Sequence, residues 1–141
     1  MDLMRVLIID AQGGGLGRQL VQALKQKHED LEIVAVGTNS IATSNMIKAG
    51  ADVGATGENA VVVNCQTSDI IVGPIGILLV NSLYGEISAR MAEAVSLSKA
   101  KRVLIPFFHD DNIIVGINDY SIKKLINQAV DEVSKILDQA S

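Results

Sequence analysis

Gly13, Gly14, Gly15 and Gly17 crowd together between an apolar run ending at Asp10 and a helical pattern beginning at Leu16. Glycine adopts φ > 0 readily and lets a ligand approach the main chain with no Cβ in the way. A helix that starts here presents N–H groups without intrahelical partners and a partial positive charge, which together suit an oxyanion. A phosphate or pyrophosphate fits that chemistry. Another small anion, or tight strand–helix packing with no ligand, are the competing readings.

Named fingerprints match only in part. In the GxGxxG register, Gln12, Gly14 and Gly17 take the three glycine positions, so the first is lost. In the TGxxxGxG register of short-chain reductases, Gly15 and Gly17 fit, but Ala11 stands where the first glycine belongs. Arg18 and Gln19 replace the Lys and Ser/Thr of a Walker A loop, which argues against an ATPase. A dinucleotide site also asks for an Asp or Glu about twenty residues on, for the ribose 2′-hydroxyl. Gly37, Thr38, Asn39 and Ser40 stand there, with neither a carboxylate nor a cation; Thr38 and Asn39 are left to meet a ribose. A second glycine turn, Gly73-Pro-Ile-Gly76, is expected to face the first across a crevice, or else to be a plain strand-ending turn.

Acid/base candidates are sparse. His109 precedes Asp110 and Asp111 after an expected strand and could act as a general base beside metal-binding carboxylates, although an exposed turn has the same composition. Asp10 could bind Mg²⁺ or a ligand hydroxyl; the simpler account has it accepting N–H groups of its own turn. Arg18 can pair with a phosphate or stay solvated. His28, among Lys27, Glu29 and Asp30, reads as surface, and Cys65 as a buried, inert thiol. Glu58, Asn59, Asn81 and Ser82 are polar groups in apolar sequence that require partners. No Ser/His/Asp or Cys/His triad and no zinc spacing assembles.

These residues need a scaffold. Continuous apolar runs at 5–10, 31–37, 69–73 and 102–106 read as strands buried on both faces, with a short strand near 51–55 and a sixth at 112–117. Helical spacing follows Leu16, and Ser40 is placed to cap a helix that Gly50 ends. Residues 58–65 are ambiguous and are assigned to a helix. A long helical region is expected over 77–98, broken near Gly85, and a final helix after Asp119 or Ser121 carries the stripe Ile122, Leu125, Ile126, Ala129, Val130, Val133, Ile136 and Leu137. Strands alternating with helices imply a three-layer α/β/α sandwich, a Rossmann-like open and mostly parallel sheet of order 3-2-1-4-5. Ligands of such sheets sit beyond the carboxyl ends of the strands where the order reverses, here between the first and fourth. Both glycine turns leave those two strands.

Composition narrows the classes. The 141 residues suit a single domain over 1–141; 48% hydrophobic and 20% charged content excludes a disordered chain. Twelve Lys and Arg against 16 Asp and Glu, with 3% aromatic residues, give no basic stripe or stacking platform for nucleic acid. The start reads as neither a signal peptide nor a membrane span, so a cytoplasmic chain without membrane contact is expected. From Ile33 to Tyr84 only Lys48, Asp52, Glu58 and Asp69 are charged. Segments 58–65 and 75–84 are therefore expected to lie in a homo-oligomer interface, most simply a dimer.

As a set, the strings 9–17, 36–39, 49–51 with 54–60, and 69–76 resemble a bacterial family of short, single-domain, Rossmann-like proteins catalogued as a domain of unknown function. The resemblance spans about the first two-thirds of the chain. It implies the fold and a bacterial origin, and transfers no catalytic residue. The expected function is binding of a phosphate-containing nucleotide or dinucleotide cofactor, NAD(P) or another nucleotide, by Gln12, Gly13, Gly14, Gly15, Gly17, Thr38, Asn39, Gly73 and Gly76. The alternatives are a small reductase or phosphosugar isomerase using His109 as acid/base, and a ligand-free homo-oligomeric interaction protein.

Overall fold

The apolar run after Met4 becomes strand β1 (Arg5–Asp10), and every residue from Val6 to Asp10 is buried. Alternation of side chains across the strand sends Val6 and Ile8 into one core and Leu7 and Ile9 into the other. That two-sided burial is why residues 6–9 are all apolar. Each fully buried Leu or Ile contributes about 1.5–3 kcal/mol relative to an exposed one. The computed structural model describes residues 4–106, 112–118 and 121–140.

Four further strands, β2 (Glu32–Gly37), β3 (Val53–Thr56), β4 (Ile70–Pro74) and β5 (Lys101–Ile105), complete a parallel five-stranded sheet of order 3-2-1-4-5. β1 lies between β2, with Asp10 opposite Gly37, and β4, with Ile8 opposite Val72. One face carries α1 (Gly15–Lys27), α2 (Ser40–Lys48) and α6 (Ile122–Ala140); the other carries α3 (Glu58–Thr67) and α5 (Ala89–Leu97). The expected fold is the one observed, and residues 58–65 are helical.

Three local expectations need correction. Asn39, not Ser40, caps α2: its Oδ1 accepts the Ala42 N–H at 2.9 Å, and Ser40 is the first helical residue. The expected helix over 77–98 is helical in its second half only. After a 3-10 turn (Ile75–Leu78), Asn81 takes a left-handed conformation and its N–H donates forward to Ile87 O at 2.7 Å. Leu83 and Tyr84, inside the one-turn α4 (Ser82–Gly85), are left-handed as well. A helix cannot run through three such residues, and α5 restarts only after the Ser88 cap. Residues 112–117 form no sixth strand. Asn112 makes a single bridge, a turn containing Gly116 follows, and Ile113 and Val115 stand 91% and 92% exposed, so no apolar face drives pairing. Asp119 lies outside the described residues; the Ser121 carbonyl accepts the Leu125 N–H where α6 begins.

Candidate functional site

The end of β1 meets the start of α1 through a turn whose shape is set by Asp10. Its buried carboxylate accepts the Ala11 N–H at 2.8 Å and the Gly17 N–H at 2.6 Å, so one of the open amides of α1 is satisfied from within the chain. Burial raises the Asp10 pKa above the ordinary carboxylate value; the Gly17 and Ala11 amides oppose this, and the nearby Glu86 charge adds to the rise. Asp10 thus takes the simpler of its two expected roles.

The four glycines divide into two pairs. Gly14 has φ +71°, and a Cβ there would stand 2.8 Å from Ala42 Cα, so it lets α2 cross close to the turn. A Cβ on Gly17 would lie 2.5 Å from Met46 Sδ and 2.9 Å from Asp10 Cβ. Both positions serve packing. Gly13 and Gly15 differ: their φ values are not in the left-handed region, and an added Cβ would meet nothing within 4 Å. Both border a cavity of about 180 Å³ lined also by Asp10, Ala11, Gln12, Gly14, Leu16, Pro74 and Leu83.

Two asparagines of the α2 region orient this turn. Asn39 Nδ2 donates to Gln12 O at 2.8 Å, and Asn45 Nδ2 donates to Gly13 O at 2.8 Å. Because a trans peptide points its N–H opposite its carbonyl, the first bond turns the Gly13 N–H away from α2. The N–H groups of Gly13, Gly15 and Leu16 receive no acceptor among the described residues.

Beside the cavity stands Glu86. Its carboxylate accepts the Gln12 N–H (3.1 Å to Oε1, 3.2 Å to Oε2), Asn39 Nδ2 at 3.0 Å on Oε2, and the Thr38 hydroxyl, also on Oε2. Partial burial would raise its pKa; the Thr38, Asn39 and Gln12 hydrogen bonds outweigh that and hold the carboxyl below its usual value. Glu86 is therefore an anion at neutral pH, placed where β2 ends.

Gln12, Gly13, Gly14 and Gly15 come together at the cavity as expected, and Thr38 and Asn39 lie next to it, engaged by Glu86. Gly17 is buried with its amide on Asp10, so it offers no donor to a ligand. Gly73 and Gly76 do not line the cavity; Pro74 does. A Cβ on Gly73 would stand 2.5 Å from Ile9 O, which makes Gly73 a strand-packing glycine, and buried Gly76 accepts the Ser82 hydroxyl and the Leu79 N–H. His109, Asp110 and Asp111 lie outside the described residues. Cys65 is buried, and burial pushes its thiol up to about 11, as an inert thiol requires. Arg18 is exposed on α1, and His28 is half-buried, its Nε2 2.7 Å from Ser134 Oγ. Among the described residues, no three His, Cys, Asp or Glu side chains cluster as metal ligands, and no helix is long and apolar enough to cross a membrane.

Sequence reading missed Asn45 and Glu86. Glu86 carries a detectable signal, since it is the one charged residue between Asp69 and Arg90. Its destination, 74 residues from Gln12 along the chain, carries none.

No curated protein matches the chain. Among solved structures, it is similar to the crystal structure of a dodecameric FMN-dependent UbiX-like decarboxylase from Escherichia coli O157:H7. The TM-score is 0.49 at 16% identity, over 93% of this chain and 94% of that one. Across residues 5–138 the sequence matches the family model described as a domain of unknown function, DUF3842, and the chain belongs to that family.

Proposed function

We propose that this protein binds a phosphate-bearing nucleotide at the β1/β4 crevice, with the phosphate in the cavity beside Gly13 and Gly15. The observation that carries the reading is the division among the glycines. Gly14 and Gly17 are explained by packing, whereas Gly13 and Gly15 have neither a positive φ nor a crowding neighbour to require them. Close approach of a ligand to the main chain is the remaining physical reason for a missing Cβ. Open amides at Gly13, Gly15 and Leu16 supply donors, and Asp10 repels an entering anion less because its charge is spent on Ala11 and Gly17. A cavity of about 180 Å³ is below the ~300–1,000 Å³ of drug-sized sites, so it suits the phosphate while the nucleoside lies along the open sheet edge.

The test is calorimetric titration of a nucleotide panel into wild type, Gly13→Ala and Gly15→Ala. Expected is binding by wild type and at least roughly tenfold loss in either variant, with melting temperatures no more than about 2 °C below wild type. Equal affinity in all three proteins, or no binding to wild type, overturns the reading.

A homodimer accompanies this proposal. Val63 and Val80 are exposed, and Tyr84 stands 96% exposed, along the weakly charged middle of the chain. Sedimentation equilibrium at micromolar concentration is expected to give twice the chain mass; a monomer there rules the dimer out.

A further inference from the structure

The carboxylate that the end of β2 lacks is delivered by a different element. Residues 75–88 leave β4, reverse at Asn81 and return toward β1 and β2. Ile87, fully buried in the core beneath α3 and α5, anchors this strap next to Glu86, and Ser88 then caps α5. The strap is further tied by Asn81 N–H to Ile87 O and by Ser82 Oγ to Gly76 O. Glu86 is thus held from its own backbone as well as by Gln12, Thr38 and Asn39.

The two oxygens of that carboxylate are used unequally. Among the described residues, Oε2 receives Thr38, Asn39 and the longer branch of the Gln12 N–H, whereas Oε1 receives only the shared Gln12 N–H at 3.1 Å. A carboxylate has about four lone-pair sites, so Oε1 retains capacity for a further donor. Gln12 lines the phosphate cavity and touches Glu86, which places the two features side by side. A phosphate with a hydroxyl-bearing sugar next to it matches that pairing; a second phosphate at the sugar would meet a fixed negative charge.

We propose that Glu86 is the specificity-determining residue of the site, accepting the ribose 2′-hydroxyl of the ligand and excluding a 2′-phosphate. This rests on the phosphate-site reading above and narrows it to nucleotides with a free ribose diol.

The experiment measures dissociation constants for ADP-ribose, its 2′-phosphorylated form, its 2′-deoxy form and inorganic pyrophosphate. Wild type and Glu86→Gln are compared, with folding monitored by circular dichroism. Wild type is expected to bind ADP-ribose roughly tenfold or more tightly than either altered sugar. In Glu86→Gln that preference falls to within about threefold, chiefly because the 2′-phosphorylated form binds better. Pyrophosphate affinity changes little or rises. Wild type that binds pyrophosphate but treats the three sugars alike, or a folded Glu86→Gln that keeps the full preference, overturns the assignment and leaves the phosphate site standing. Failure of all four probes to bind wild type removes both readings. Should Glu86→Gln not fold, the wild-type ranking of the three sugars decides alone.

Discussion

The turns that leave β1 and β4 open at the same edge of the sheet, and both carry glycine, yet they build different things. After β1 the chain enters α1 within five residues, because Asp10 captures the Gly17 amide and Gly14 turns the backbone through its left-handed conformation. After β4, fourteen residues pass before α5 opens at Ala89, and three non-glycine residues among them are left-handed. The first turn is closed by a carboxylate from its own strand; the second exports a carboxylate, Glu86, to its neighbour. A glycine turn is therefore defined less by its glycines than by which polar side chain stabilises the amides it exposes. In α1 that side chain comes from Asp10, next to the turn, and the helix starts at once. The 75–78 turn has no such residue, and the chain wanders until Ser88 provides a cap.

The largest test of this contrast is Gly14→Val. A side chain there must be left-handed and collide with the Ala42 backbone, so denaturant unfolding is expected to show a loss of about 3 kcal/mol or more. A loss below 1 kcal/mol would mean that α2 shifts freely and the turn is not a packing junction. Asp10→Ala follows, at about 2–3 kcal/mol, since the buried Gly17 N–H loses its acceptor. If stability is unchanged, the α1 start does not depend on that carboxylate.

Gly15→Ala is expected to leave stability unchanged or raise it by about 0.5–1 kcal/mol, because alanine suits a helix better and meets no neighbour. A marked loss would place Gly15 with Gly14 and Gly17. The smallest effect is the pH dependence of Glu86→Gln. A depressed carboxyl pKa contributes stability that is present above the unfolded-state value and lost as pH falls through the folded one. Wild type is thus expected to exceed Glu86→Gln by below about 1 kcal/mol at neutral pH, and the two to converge as acid takes the pH down through the lowered carboxyl pKa. A gap that widens in acid contradicts the pairing of Glu86 with Thr38 and Asn39.

Strand runs such as Arg5–Asp10 and Ile70–Pro74, the order 3-2-1-4-5 and the crevice beyond β1 were legible from residue order, because burial on both faces leaves a continuous apolar run and parallel pairing requires helical crossovers. The site was half legible: Gln12 to Gly15, Thr38 and Asn39 are adjacent to local signals. Gly73 and Gly17 look the same in sequence as Gly13, and only the neighbours of an imagined Cβ tell them apart.

Local periodicity and turn chemistry, acting over a few residues, determined the strands, most of the helices and the sheet edge at which both glycine turns open. Tertiary structure alone decided which glycines are spent on packing and that Glu86 arrives at the end of β2. Those outcomes depend on contacts between residues such as Gln12 and Glu86 that are remote in the chain, and hydrogen bonds across such separations leave no period in the sequence.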